Sequence, residues 1–133
     1  MRKKRWMTAI ALVVGIVGLS LPAVSQERDS DGTRLQARHV DVGTVHNDRL
    51  APPQDEADWR MIQLEDDTNL ALKLAVRPSD RSAQLTLTGA TGDQLAAKTA
   101  DEDSATIEMS LDAGIYYIAV ESTQSLRYEL RID

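Results

Sequence analysis

The chain has 133 residues, 27% of them charged, with 21 acidic against 15 basic side chains, a net charge of −6 and no cysteine. That length suits one domain, and the missing cysteine excludes disulfide staples, thiolate nucleophiles and zinc–thiolate sites. The acidic balance repels phosphate backbones and anionic lipid surfaces, so nucleic-acid binding and peripheral membrane binding are not expected.

Met1–Arg5 carries four basic residues and no acid, and Met7–Leu21 is apolar apart from Thr8, Gly15, Gly18 and Ser20. Ala23-Val24-Ser25 then offers small residues where a signal peptidase reads them. A run of about 15 residues falls short of the roughly 20 that a membrane-spanning helix needs. The expectation is therefore a signal peptide over residues 1–25, a periplasmic or secreted mature chain, and no membrane association after cleavage. Taking the four basic residues of that segment from 15 leaves 11 against 21 acidic ones, a net charge of −10.

Residues 26–36 hold almost nothing apolar and read as a flexible leader. A single β-sandwich domain is expected over 37–133. Its first strand begins near Ala37 and runs through Val45, where polar and apolar residues alternate at first. Pro52-Pro53 and the surrounding acids place a loop between Asn47 and Ala57. Trp59–Leu64 follows as a strand, with the Trp59 ring expected in the core; a sugar-stacking platform is its alternative role. Leu70, Leu72, Leu74 and Val76 share one face only if their segment is extended. Gln84–Thr88 and Gln94–Lys98 frame a turn at Gly89–Asp93 and read as a hairpin. A second hairpin is expected where Ala105, Ile107, Met109 and Leu111 lead through Asp112-Ala113-Gly114 into Ile115–Val120. The last run puts Leu126, Tyr128, Leu130 and Ile132 on one face, with Arg127, Glu129 and Arg131 on the other. About eight short strands and no amphipathic helix predict an all-β, antiparallel β-sandwich of jelly-roll type, with a small barrel as the alternative.

Several of these residues, Asp58-Trp59-Arg60 after an acidic loop, Asp112–Val120, and Ser125-Leu126-Arg127-Tyr128-Glu129-Leu130, together resemble the bacterial pre-peptidase C-terminal domain family over about residues 38–133. The resemblance implies a β-sandwich module of the kind appended to secreted peptidases, with relatives in bacterial collagenases that bind collagen with help from calcium. This chain departs from that pattern: no peptidase precedes the module, and Gln84–Thr88 stands where the family often has an aspartate-rich strand.

No nucleophile elbow, zincin helix or glycine-rich phosphate loop is present, so catalysis is not expected. His39 with Asp41, and His46 with Asp48, have the spacing of a base and its orienting carboxylate, without a nucleophile beside them. Three acidic clusters offer oxygen ligands of the kind calcium takes. They are Asp55, Glu56 and Asp58; Glu65, Asp66 and Asp67; and Asp101, Glu102 and Asp103. The first is the favoured calcium site, and solvated acidic turns are the competing explanation. No other cofactor is expected. The leading expectation is a noncatalytic exported binding or accessory module that contacts a protein or a polysaccharide. A secreted inhibitor or chaperone of a peptidase, and a metal-dependent hydrolase, are the alternatives.

Overall fold

The computed structural model describes residues 32–101 and 104–133. The expected signal peptide and the first part of the leader, and Glu102 and Asp103 of the third acidic cluster, lie outside the described residues. Among the described residues a short 3-10 turn, Arg34–Gln36, precedes nine strands. These are β1 (Arg38–Val40), β2 (Thr44–Leu50), β3 (Ala57–Leu64), β4 (Thr68–Arg77), β5 (Ala83–Gly89), β6 (Gln94–Ala100), β7 (Ser104–Leu111), β8 (Gly114–Glu121) and β9 (Leu126–Ile132). Among the described residues no helix is long and apolar enough to cross a membrane.

The strands form two sheets, one ordered β1-β3-β8-β5-β6 and the other β2-β9-β4-β7. Every pairing is antiparallel except β1 with β3. The fold is thus an all-β sandwich, as the alternation predicts. Leu70, Leu72, Leu74 and Val76 of β4 meet Leu126, Tyr128, Leu130 and Ile132 of β9 in one buried cluster, which Ile62, Leu85, Leu87, Ile118 and Val120 close from the other sheet. β3, β4, β7 and β9 bury alternate residues because successive side chains point to opposite faces.

Three local expectations are corrected. The first strand is split: Val42-Gly43 forms a turn, with Gly43 at φ 89°, so Arg38–Val40 joins one sheet and Thr44–Leu50 the other. A left-handed backbone is open to glycine at little steric cost, which is why the chain can change sheets there. The loop after Asn47 also starts later, since β2 continues to Leu50. The second expected hairpin does not form either. β7 pairs with β4, whereas β8 pairs with β3 and β5, so Asp112-Ala113 carries the chain between sheets. The β5–β6 hairpin forms as expected.

Candidate functional site

β3 decides what each side of the sandwich presents. Ile62 and Leu64 face the core, so period two sends Asp58 and Arg60 inward and Trp59 and Met61 outward. The expectation that Trp59 packs in the core is therefore wrong. Arg60, fully buried, occupies the inward position, while Trp59 lies half-buried on the outer face of the five-stranded sheet. The signal was available in the alternation: Trp59 is out of phase with Ile62 and Leu64.

The interior holds a polar network that the sequence reading did not anticipate. The Tyr128 hydroxyl donates to an Asp58 carboxylate oxygen at 2.5 Å and accepts from the Arg60 guanidinium at 2.8 Å, joining the two sheets. Arg60 also reaches Asp48 at 3.5 Å, and Arg38 lies 3.9 Å from the same oxygen. Burial, with Asp58 beside it, pushes the Tyr128 phenol far above its ordinary range against the opposing pull of Arg60, so the hydroxyl keeps its proton.

The two histidine–aspartate pairs have different fates. Asp41 falls between the end of β1 and the Val42-Gly43 turn, so it does not share a strand with His39. His46 and Asp48 lie on the same side of β2, and the Thr44 hydroxyl lies 2.8 Å from His46 Nε2. That hydroxyl donates its proton to the Asp41 carbonyl at 2.6 Å, so the ring must donate to it through Nε2. An imidazole that donates to a hydroxyl does not remove its proton, and the Thr44–His46–Asp48 series does not activate a nucleophile.

The calcium candidates do not converge. Asp58 points into the core toward Tyr128, Asp55 is buried where its backbone bridges Ala51, and Glu56 is exposed. Among the described residues, no group of three or more His, Cys, Asp or Glu side chains is arranged to hold a metal ion. In the second acidic cluster, the Asp67 carboxylate accepts from the Ala113 amide at 3.0 Å and braces the crossing between β7 and β8.

Trp59 opens onto a cleft of about 540 Å³ on the outer face of the five-stranded sheet. In register across β3, β8, β5 and β6 run Trp59, Ala119, Thr86 and Ala97, and beside them Ala57, Glu121, Gln84 and Thr99. Small residues next to the indole leave its surroundings flat, and the neighbouring row supplies carboxylate, amide and hydroxyl groups. The rim is braced: Ser122 Oγ donates to the Ser82 carbonyl at 2.6 Å, and the Ser82 amide donates to Gln124 at 2.9 Å. Further along the face, Arg34 stacks over Tyr117 at 5.3 Å and donates to the Ala90 carbonyl at 3.1 Å. Tyr117 is thereby partnered by a cation, and Trp59 is the aromatic ring that the cleft presents.

The fold that carries this surface is a two-sheet β-sandwich. No family profile matches the sequence, and no curated protein matches it. Among solved structures, the chain is similar to the pre-peptidase C-terminal domain of a collagenase from Bacillus anthracis, with a TM-score of 0.65 and 16% identity over 73% of this chain and 94% of that one. It is also similar to CorA of Methylomicrobium album BG8, a surface-associated copper-binding protein, with a TM-score of 0.57 and 6% identity over 73% of this chain and 98% of that one. At these identities the likeness is one of fold.

Proposed function

We propose that this chain is an exported, noncatalytic binding module that holds a neutral polysaccharide against the Trp59 cleft. The observation that carries the reading is an indole displaced to the outside of a rigid sheet, beside a row of polar side chains, while the inward position goes to Arg60. A pyranose ring has an apolar C–H face that packs on an aromatic surface, and hydroxyl edges that need planar acceptors and donors. Gln84, Thr99 and Glu121 lie in the strand row next to the indole and supply them. Glu56 and Glu121 give this cleft negative charge, which favours an uncharged glycan over an acidic one. The braced rim lowers the entropy lost on binding, because fewer groups need ordering when the ligand arrives.

The test is affinity electrophoresis of the purified chain in gels containing neutral soluble polysaccharides, among them β-glucans, mannans and xylans. Retardation by at least one is expected. Trp59→Ala weakens binding by about 2 kcal/mol or more, the usual scale for a buried aromatic anchor, and Trp59→Phe retains part of it. If no polysaccharide retards the wild type, or if Trp59→Ala is retarded equally, the reading is wrong.

A further inference from the structure

The outer face of the four-stranded sheet has the opposite electrostatic character. Arg49 of β2 stands in register with Arg127 of β9, and Arg127 in register with Arg77 of β4, so three arginines form a row across three strands. All three are exposed and line an open cleft of about 490 Å³. Four positions along the strands, Arg131 is in register with Lys73 after an intervening outward row that contains Glu129. Among the described residues the ion pairs are Arg38–Asp48, Arg60–Asp48 and Arg81–Asp80, so none of these five cations is neutralised by a carboxylate there. Two acids line the cleft, Glu129, half-buried, and Asp48, whose carboxylate is directed to Arg60 and Arg38, while Glu108 and Asp133 lie toward the far end of the patch.

Like charges directly opposite one another destabilise a sheet, and a chain with 21 acidic residues had carboxylates to place between them. A local rule broken without compensation inside the fold is a mark of a site that meets something outside it. We propose that this face binds an acidic polysaccharide, through bidentate pairing of the Arg49, Arg127 and Arg77 guanidiniums with its carboxylates. Neighbouring strands lie about 4.8 Å apart, so the row presents three planar forks over about 10 Å in a straight line. A polymer of uronic acids carries one carboxylate on each sugar and can run across the strands with successive charges facing successive arginines. The acids elsewhere on the molecule repel any polyanion on approach, and a duplex most strongly, because it carries one negative charge per roughly 1.7 Å of its axis.

This inference rests on the reading of the chain as a binding module, but it uses the other sheet and another ligand. Retention on neutral polysaccharides and retention on polygalacturonate therefore succeed or fail separately. The experiment measures binding of the full chain to polygalacturonate by calorimetry at low and at moderate salt, with dextran, polyglutamate and a DNA duplex as comparisons. Polygalacturonate is expected to bind, more weakly as salt rises, and Arg127→Gln to lose at least about tenfold in affinity. The double variant Arg49→Gln/Arg77→Gln loses at least as much, with its own melting curve to show that it is folded. Lys98→Gln, which removes one positive charge from the opposite sheet, leaves the affinity unchanged. The proposal is overturned if polygalacturonate does not bind at low salt. It is overturned equally if Lys98→Gln weakens binding as much as Arg127→Gln does, or if polyglutamate or DNA binds as tightly.

Discussion

Tyr128 has one hydroxyl and two charged neighbours. It donates to Asp58 and accepts from Arg60, and both of those side chains are fully buried. Removing one partner of a buried polar group leaves the other without solvent or replacement, which costs more than the bond itself contributes. Tyr128→Phe keeps the ring and its packing against Leu126 and Leu130 but withdraws the oxygen from both charges. It is expected to destabilise the fold by about 2–5 kcal/mol, read from the shift of the urea midpoint at unchanged slope. His46 offers a second test at this scale. Burial first, then the charges of Arg60 and Arg38, hold its pKa below the usual 6.5 against the opposing effect of Asp48. The unfolded chain therefore takes up a proton as pH falls through about 6.5, while the folded chain does so only at lower pH. In that window the unfolded state binds more protons, so this contribution to stability is full above the unfolded pKa and lost as pH falls through the window. His46→Gln cannot titrate. Its stability relative to wild type is expected to improve as pH is lowered from 7.5 to 5, and a difference between the two proteins that does not change with pH would refute this account.

At the scale of the element, the turn that splits the first expected strand depends on Gly43. Its φ of 89° lies in the left-handed region, and a Cβ added there meets nothing within 4 Å. Gly43→Ala should therefore cost backbone strain alone, about 1–2 kcal/mol, and the loss of melting temperature measures it. A larger loss would mean that the turn is also packed. The same region shows what the sequence could and could not reveal. β4, β7 and β9 were legible because their apolar residues alternate without interruption, and a helix would scatter them around its axis. The break at Gly43 was not, since Val40, Val42 and Val45 look like one continuing strand until the partners are known. The crossing at Asp112-Ala113 misled for a related reason: a turn motif shows that the chain reverses, not which sheet receives the next strand. The site was partly legible. Asp58 and Trp59 drew attention from the sequence, but their faces were exchanged in the reading, because a charged pair such as Asp58 and Arg60 is an improbable occupant of a core until Tyr128, about 70 residues later in the chain, is brought beside it. The arginine row was hidden in the same way. Arg49, Arg77 and Arg127 are scattered along the sequence, and only the pairing register lines them up.

At the scale of the whole molecule, each sheet is assembled from strands that are distant in sequence. β9, the last strand, is interior to its sheet, bonded to β2 on one side and β4 on the other. It contributes Leu126, Tyr128, Leu130 and Ile132 to the core, and through Tyr128 it links the Asp58 and Arg60 side chains of the opposite sheet. On its outer surface it carries Arg127, the centre of the basic row. Stability, the connection between sheets and the proposed anion-binding face thus depend on one strand, while the Trp59 cleft lies on the other side of the sandwich. Without β9 neither β2 nor β4 keeps that hydrogen-bonding neighbour, and the core cluster loses Leu126, Tyr128, Leu130 and Ile132. With no disulfide to hold the remainder together, the loss has to be met by packing alone. Deletion of residues 126–133 is therefore expected to abolish the cooperative urea transition and to expose apolar surface to a hydrophobic dye, rather than to produce a folded sandwich with one strand fewer. A sharp transition in the truncated chain, with Trp59 fluorescence as in the intact protein, would show instead that the five-stranded sheet folds without the strand that joins it to its partner.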